Sequence, residues 1–478
     1  MVIEALPEVK TLSFLPAPVF GLERLSLYYS RCGYEICEYS VGVKLMWHHA
    51  YRYAFADAAG CLLCRAEADG GVYFDFPVPG EHGDVGAALD ELELYCKEQE
   101  LPLRFSAVGR EQLASLAGRY DGIRTRNRYL WRDYLYSAEE IRSFAGKKFA
   151  GQRNHIHRFE KLCPGAVFRQ MTMERDRAAL ARFVRRFDAA YTKQGREAMA
   201  EREAAFAALR SGESRYFRIG CMEYEGEIIG VSLAERCGET LIIHIEKALA
   251  KEYSGVYPAL FQAAVRAFAG DCKWVNREDD AADPGLRTSK MQYQPVRLAE
   301  KYDVEVVNLF SFLTGLPTLR TERLVLDGIL PSDAPAYGRL CRDDARNRWW
   351  GYDYRRDLGD RPRDMDFVEL AARDMAARLA LSFAVRREGR LIGEVVLYRP
   401  DGRGGAEIGV RILPEDAGNG YGREAFRAVS DWALYSLGVT RLYARCFREN
   451  TASCRMLTAA GMRQTHGDET MLWFLRTV

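Results

Sequence analysis

A glycine-rich turn between a strand-like run and a helix-like segment most constrains how this chain folds. Residues 407–413 alternate in the manner of a β-strand, and apolar residues after the turn recur at helical spacing. Gly418, Gly420 and Gly422 therefore lie between a strand and the start of a helix. Glycines let backbone N–H groups turn outward, and the positive end of a helix dipole attracts anions. The stretch 414–426 thus predicts a cradle for a pyrophosphate group.

Composition limits the classes of protein that remain. The chain has 478 residues, enough for roughly three domains of about 150 residues each. Its 48% hydrophobic and 28% charged residues are ordinary for a globular protein. The formal net charge of +1 argues against a broadly cationic nucleic-acid binder. The sequence has no run of ~18 apolar residues, so no membrane span is predicted. The N-terminus lacks the features of a signal peptide.

Cysteine usage predicts a reducing compartment. The twelve cysteines are scattered along the chain, which suits the cytoplasm better than a disulfide framework. The CxxC pair, Cys61 and Cys64, has no second pair and no histidine cluster near it, and it lies in a strand-like run. We expect two core cysteines there rather than a zinc or redox site, and we expect no bound metal.

The N-terminal region reads as mixed α/β. Strands are expected at residues 45–53, 60–66, 71–76 and 102–108, with a helix at 85–98. Farther along, we expect a helix at 175–193, strands at 216–221, 227–234 and 240–247, and a helix at 256–269. The order of strand, glycine turn and helix in this second part echoes the 407–426 region and suggests a related lobe.

Positive charge concentrates in residues 146–159. Lys147, Lys148, Arg153 and His157 form a candidate anion site for a tRNA end or a coenzyme. The alternative is a solvated helix face that docks through its apolar side.

Three segments of the N-terminal region carry a resemblance to a known family: GKKFAGQRNHIHRF at 146–159, IHIEKA at 243–248 and WVNREDDAADPGLRTSKMQYQPVRLAEKY at 274–302. They resemble the family that shares the C-terminal domain of phosphatidylglycerol lysyltransferases. The resemblance covers most of residues 1–305 and implies two GNAT-like lobes, about 1–130 and 131–305. Members with the lipid activity transfer an aminoacyl group from a charged tRNA to a phospholipid and usually carry a large membrane domain. No such domain is predicted here, so lipid lysylation is not expected.

The polar stretch 274–290, inside the third segment, has two interpretations. It is rich in turn formers and paired charges, which cannot all be buried cheaply. It forms either a solvated loop or the rim of a polar pocket.

A separate C-terminal unit is expected at residues 318–478, after a linker at 306–317. Its first strand is predicted at 319–326. A three-stranded antiparallel meander is predicted at 381–386, 391–398 and 406–413, directly before the glycine turn, and a further strand at 442–447.

The C-terminal unit carries a second resemblance. Its strand, glycine turn and helix, followed by a strand and by NTASCRMLTAAGM at 450–462, resemble the GNAT acetyltransferases, closest to those that acetylate ribosomal-protein N-termini. The family's Q/R-x-x-G-x-G/A signature aligns with residues 417–422. Ala417 departs from the usual Gln or Arg, which should weaken coenzyme affinity without abolishing it, because the main contacts are backbone N–H groups. The resemblance implies acetyl-CoA as co-substrate, bound by Ile408, Val410, Ile412, Gly418, Asn419, Gly420, Tyr421, Gly422, Arg423, Asn450 and Ser453.

The same resemblance supplies roles around the reacting groups. Backbone N–H groups near Val410 would polarise the thioester carbonyl. Asn450 matches the asparagine that contacts the pantetheine arm, although Asn and Ser are also favoured helix caps. Leu457 stands where many relatives have a tyrosine acid, which leaves Ser453 as the visible candidate to protonate the leaving thiolate.

The acceptor side is less determined. Glu407 is the candidate general base, acting directly or through water, and the alternative is an exposed strand carboxylate. Four aromatic residues could wall the acceptor pocket or pack as core: Trp349, Trp350, Tyr352 and Tyr354.

The sequence therefore predicts an α/β fold of tandem GNAT-like lobes, two in the N-terminal region and an acetyltransferase domain after them. The expected function is transfer of an acetyl group from acetyl-CoA to a primary amine of a small molecule or a protein N-terminus. One alternative is an aminoacyl-tRNA-dependent transferase centred on the basic segment, although the net charge gives tRNA no support as a partner. The other is a non-catalytic, anion-binding N-terminal module.

Overall fold

A computed structural model describes residues 12–191, 216–350 and 352–478. The chain divides into two compact units: Met1–Ala114 with Thr125–Glu305, and Ser115–Arg124 with Val306–Val478. Both combine helices with mixed sheets, which confirms the α/β class. Among the described residues, no helix has the length and apolarity needed to cross a bilayer.

The first sheet has the strand order β1-β2-β3-β4-β6-β15-β7, with β5 beside β3. Its strands are β1 (Leu15–Pro16), β2 (Ala54–Ala58), β3 (Cys61–Ala68), β4 (Gly71–Phe74), β5 (Val78–Pro79), β6 (Arg104–Val108), β7 (Gly122–Asn127) and β15 (Tyr302–Val307). The helices of this part are α1 (Ala17–Phe20), α2 (Leu22–Tyr29), α3 (Val41–Met46), α4 (His48–Tyr51), α5 (Val85–Glu98) and α6 (Arg110–Arg119).

The predicted strand at 45–53 is wrong, because this segment is helical. Ser40 caps α3 by accepting a hydrogen bond from the Val43 amide. Lys44 is buried and pairs with Asp75 at 2.5 Å. The segment 45–53 contains the end of α3 and the four-residue helix α4, and elements this short do not show enough periodicity to distinguish a helix from a strand.

The second sheet has the order β14-β8-β13-β12-β11-β10-β9. Its strands are β8 (Asp133–Ser137), β9 (Val167–Gln170), β10 (Arg218–Tyr224), β11 (Glu227–Cys237), β12 (Thr240–Ala248), β13 (Trp274–Asn276) and β14 (Arg297–Ala299). Its helices are α7 (Ala138–Ser143), α8 (Ala150–Leu162), α9 (Met173–Tyr191), α10 (Val256–Phe268) and α11 (Pro284–Met291). The helix expected at 175–193 matches α9 as far as Tyr191, and its last two residues lie outside the described residues.

The second unit is built on one sheet of order β16-β17-β18-β19-β20-β21-β23-β22. Its strands are β16 (Leu319–Arg320), β17 (Val325–Gly328), β18 (Ala380–Arg387), β19 (Arg390–Tyr398), β20 (Gly405–Ile412), β21 (Arg441–Phe447), β22 (Arg463–Gly467) and β23 (Met471–Thr477). Its helices are α12 (Ala334–Arg342), α13 (Asp344–Trp350), α14 (Arg355–Leu358), α15 (Asp364–Ala376), α16 (Tyr421–Trp432) and α17 (Thr451–Ala459).

Two expectations for this unit need correction. The predicted strand 319–326 is interrupted: β16 and β17 form a hairpin closed by a hydrogen bond from the Thr321 amide to the Leu324 carbonyl. The expected linker 306–317 is not free of the fold, because Phe310 is fully buried in the core of the second unit. That core packs α16 against one face of the sheet, while α12 and α15 pack on a separate cluster.

Candidate active site

Strands β20 and β21 separate partway along their length. β20 pairs with β19 from Glu407 to Ile412, but its parallel pairing with β21 stops at Glu407. The Leu413 amide donates to the Ile392 carbonyl at 2.8 Å. Because ladder hydrogen bonds alternate in direction, the amides of residues 408, 410 and 412 point away from β19. The Val410 and Ile412 amides therefore face the opening beyond the end of the parallel ladder.

The glycine turn lies at the wide end of this opening. Gly418 and Gly420 have φ angles of +82° and +79°, which side chains with a Cβ rarely adopt. A Cβ at Gly418 would meet nothing within 4 Å, and one at Gly420 would meet only Nη2 of Arg323 at 3.5 Å. The turn therefore leaves room for a ligand against its backbone.

Helix α16 begins directly after this turn, with Gly420 as its N-cap. The Glu424 amide closes the first helical hydrogen bond to Gly420 at 3.1 Å. The amides of Tyr421, Gly422 and Arg423 precede that bond, and such N–H groups at a helix start suit an anion. The residues expected to bind pyrophosphate are thus brought together around one helix start.

Asn450 caps helix α17. Its Oδ1 accepts a hydrogen bond from the Ser453 amide at 3.1 Å. Asn450 is therefore a helix cap, and its side-chain NH2 group is left for a second contact. Leu457 is buried in the core of this unit, so the position of the expected tyrosine acid is structural here.

Glu407 is held by its neighbours on both sides. Its carboxylate lies 3.2 Å from Nη1 of Arg399 and 3.4 Å from Nε of Arg445. Its cross-strand partner is Tyr398, and burial together with the Glu407 charge raises the pKa of that phenol to about 12. One carboxylate oxygen, Oε2, is buried without a hydrogen bond. Glu407 is thus a positioned carboxylate, with Oε1 paired with Arg399 and Oε2 paired with Arg445.

The four aromatic residues expected at the acceptor side separate into different environments. Trp350 covers β20, since a Cβ at Gly409 would lie 3.0 Å from its ring. Trp349 packs on Phe447 with ring centroids 5.6 Å apart. Tyr354 packs on Phe367 and is largely buried core, whereas Tyr352 is exposed.

Sequence reasoning missed a buried ion pair beneath Trp350. Arg411 donates to Oε2 of Glu394 from Nε at 2.9 Å and from Nη2 at 2.8 Å. Tyr337 donates to the other carboxylate oxygen at 2.8 Å, and the Arg411 guanidinium lies 4.5 Å from the Trp350 ring. The sequence signal for this pair was one acidic residue in apolar strand β19, Glu394, and one basic residue in the next strand, Arg411.

The basic segment of the first unit is partly engaged in internal contacts. Lys148 pairs with Glu140 at 2.6 Å. Arg153 donates to the carbonyls of Phe144 and Gly146 and so terminates helix α7. Lys147 and His157 are exposed.

The second sheet repeats the layout of β20, β21 and α16, but its glycine turn is closed. β12 and β13 pair in parallel only from Thr240 to Ile242, and Gly255 caps α10 in the left-handed conformation. A Cβ at Gly255 would collide with the carbonyl oxygen of His155 in α8. Helix α8 therefore fills the space that stays open beside Gly420.

Three side chains of this second sheet and the segment after β13 each have one buried polar atom without a hydrogen bond. Ser232 and Glu246 are direct cross-strand partners, and Arg277 pairs with Glu246 at 2.5 Å. Ser232 Oγ, Glu246 Oε1 and Arg277 Nη1 are all buried without a hydrogen bond. The Arg277 guanidinium also lies 4.2 Å from the Phe261 ring. The stretch 274–290 thus contributes to a buried polar site rather than only to a solvated loop.

A possible metal-ligating group in the first unit already holds a cation of the protein. Among the described residues, the group within metal-binding distance is Cys37, Glu38 and Asp133. The Lys301 ammonium lies 2.7 Å from Asp133 and 2.8 Å from Glu38. This ammonium takes the place that a metal ion would need. The CxxC pair lies elsewhere, buried in β3.

Comparisons with known proteins give two family matches. The model of the phosphatidylglycerol lysyltransferase C-terminal family matches residues 31–305, and the acetyltransferase (GNAT) domain model matches residues 323–463. Two uncharacterized N-acetyltransferases of Bacillus subtilis are similar. YoaA is 28% identical over 153 residues, which is 31% of this chain and 84% of YoaA. YnaD is 34% identical over 80 residues, which is 17% of this chain and 47% of YnaD.

One solved structure shares the fold of the larger part of the chain. It is a conserved protein of unknown function from Bacteroides thetaiotaomicron, 24% identical, with a TM-score of 0.55. The similarity covers 62% of this chain and 99% of that protein.

Proposed function

We propose that this protein, which belongs to the phosphatidylglycerol lysyltransferase C-terminal family and is a GNAT-type acyltransferase, moves an acetyl group from acetyl-CoA to a primary amine. The acceptor would be a small molecule or a protein N-terminus. The observation that carries the proposal is the open edge of β20 beside an unobstructed glycine turn. The free cysteines support a cytoplasmic location.

The chain's own groups would divide the work as follows. The amides at the start of α16 would hold the diphosphate, and the Asn450 amide group would contact the pantetheine arm. The Val410 amide would polarise the thioester carbonyl, since it faces the opening between β20 and β21. Acetyl-CoA supplies an activated acyl group.

Glu407 would accept the proton from the attacking amine. The observation that favours this role is that Arg399 and Arg445 hold the carboxylate at the point where β20 parts from β21, while Oε2 makes no hydrogen bond. Ser453, one turn into α17, would donate a proton to the leaving thiolate. Trp350 would form a wall for the acceptor because it covers Gly409.

An acetylation screen on the full chain tests this function. The protein would be incubated with acetyl-CoA and with small amines, antibiotics or peptides bearing free N-termini, while release of the CoA thiol is followed. We expect amine-dependent release that Gly420→Trp abolishes. The matched control is Gly438→Trp, since Gly438 has a φ of +91° and open surroundings, and it lies directly after the π-helical segment Ala433–Leu437 that continues α16. Release that persists in Gly420→Trp would contradict the proposal.

A second candidate function is aminoacyl transfer through the first unit. The buried site of Ser232, Glu246 and Arg277 favours it, because each of these three side chains has one polar atom without a hydrogen bond. An aminoacyl group carries an amine and a carbonyl, which suit a carboxylate and a guanidinium respectively. Burial raises the pKa of Glu246, although the Arg277 charge opposes that shift.

Binding of a charged tRNA tests this second candidate. If it holds, Arg277→Met should weaken binding of an aminoacylated tRNA more than binding of the uncharged tRNA. Changes at Lys147 and His157 should weaken both equally, since exposed cations would contact phosphates. Aminoacyl transfer would be excluded if wild type and all three variants bound tRNA with equal affinity, or if none bound it. The first unit would then be interpreted as an anion-binding module.

A further inference from the structure

Arg323 reaches the glycine turn from the hairpin between β16 and β17. Its Nη1 donates to the carbonyl of Asn419 at 3.1 Å. Its Nη2 is the atom that a Cβ at Gly420 would approach at 3.5 Å. The side chain therefore touches the turn at the two residues that precede helix α16.

The same arginine also holds the first turn of that helix. Nε of Arg323 donates to Oε2 of Glu424 at 2.7 Å, and its backbone amide donates to Oε1 at 3.0 Å. Thr321 adds a hydrogen bond to Oε1 at 2.6 Å. One carboxylate in the helix thus receives donors from two of the four residues that connect β16 and β17, Thr321 and Arg323.

An aromatic contact completes the connection. The Arg323 guanidinium lies 4.7 Å from the ring of Tyr421, the first residue of α16, and the guanidinium of Arg387 lies 5.4 Å from the same ring. Tyr421 is buried in the core of the unit. Arg323 therefore links the glycine turn to a residue of the core.

The contact between Arg323 and Glu424 also affects the charge at the start of α16. Partial burial alone would raise the pKa of Glu424, but hydrogen bonds from Thr321 and Arg323 outweigh it and leave the pKa lowered. Glu424 is therefore an anion in the first turn of the helix that would hold a diphosphate. Without a paired cation, this anion would repel the ligand.

We propose that Arg323 is a positioning residue for acetyl-CoA: it fixes the glycine turn in its ligand-ready shape and neutralises Glu424. The proposal rests on the proposed function. A turn with three glycines in five residues has much conformational freedom to lose on binding, and a pre-organised site loses less. Arg323 spans the turn from Asn419 to Glu424, so it removes that freedom before the ligand arrives.

Calorimetry of acetyl-CoA with the full chain tests this role. We expect Arg323→Ala to raise the Kd by about 10- to 100-fold, the range that charge-assisted hydrogen bonds cover. Arg323→Lys keeps the charge but not the planar guanidinium, so its Kd should lie between those of wild type and Arg323→Ala. Arg320→Ala is the matched control, because Arg320 is exposed on the same hairpin, and its Kd should equal that of wild type. The melting temperatures of these variants should stay close to wild type.

A double variant separates the two parts of the proposal. Adding Glu424→Gln to Arg323→Ala removes the uncompensated charge and should restore part of the affinity, while the lost contact to Asn419 keeps the Kd above wild type. An Arg323→Ala variant with wild-type Kd would overturn this proposal and leave the proposed function standing. If Arg323→Ala does not fold, Arg323→Lys decides by the same criterion. A wild-type chain that does not bind acetyl-CoA would overturn both proposals.

Discussion

At the scale of single residues, the buried ion pair of Arg411 and Glu394 predicts how much stability is lost when one partner is substituted. Arg411→Ala would leave the Glu394 carboxylate buried with Tyr337 as its remaining donor. Removing one partner of a buried pair costs about 3–5 kcal/mol. We expect a loss of that size in the unfolding free energy of the second unit, measured by urea denaturation.

The control for that variant is an exposed pair in the same unit. Arg363 pairs with Asp366 at 2.7 Å, and its side chain is 78% exposed. Exposed pairs contribute about 0–1 kcal/mol, so Arg363→Ala should change the unfolding free energy little. Equal effects of the two variants would contradict the structural importance of the Arg411 pair.

Glu407 carries the prediction that separates chemistry from binding. Glu407→Gln keeps the size of the side chain but removes the proton acceptor, so kcat should fall by roughly 10²-fold. The Kd for acetyl-CoA should be unchanged, because the cradle lies beyond the end of the ladder with β21. Steady-state kinetics with an acceptor from the screen would measure both. A kcat equal to wild type would mean that Glu407 is only a strand carboxylate.

At the scale of elements, His244 joins a bulge in β12 to helix α3. The register shift between β11 and β12 leaves His244 unpaired in the ladder. Its ring lies 2.8 Å from Glu278 and 3.2 Å from Glu235. Glu235 in turn accepts hydrogen bonds from the amides of Val41 and Gly42 at the start of α3.

This arrangement predicts a pH dependence of stability. Burial alone would lower the pKa of His244, but Glu235 and Glu278 outweigh it and raise the pKa from 6.5 to about 9. A raised pKa gives stability that is complete below pH 6.5 and is lost as the pH rises through 9. The loss is on the order of 3 kcal/mol. The melting temperature of the first unit should therefore fall between pH 6.5 and 9, and His244→Gln should remove that slope. A flat wild-type profile would contradict it.

Several elements in both units were predictable because their sequence pattern is local. The helix at 85–98 matches α5, and the strands at 391–398 and 406–413 match β19 and β20 within one residue. Helix α5 has an apolar face with the 3.6-residue period, whereas β19 is a nearly continuous buried run. The hairpin at 319–326 was not predictable in this way, because its turn is specified by contacts to Glu424 a hundred residues later.

Tertiary partners also explain what the sequence left undecided within the site. Glu394 and Arg411 become partners only once the register of β19 and β20 is set. In the first unit, the pair of Glu246 and Arg277 likewise joins β12 to the residue that follows β13. Charge pairs across a sheet depend on register, which a single sequence does not display.

At the scale of the whole molecule, two glycine-capped helices follow splayed strands, but they differ in access. The turn before α16 is open, whereas the one before α10 is filled by the carbonyl of His155. The chain should therefore hold one acetyl-CoA and not two. The domain limits and the site residues stay predictions until binding is measured.

A calorimetric titration of the full chain with acetyl-CoA tests the central claim most directly. We predict one site per chain, lost in Gly420→Trp and kept in Gly438→Trp, since only the first substitution fills the turn before α16. A titration with no heat of binding in the wild type, or binding that survives Gly420→Trp, would contradict the assignment of acetyl transfer to this turn.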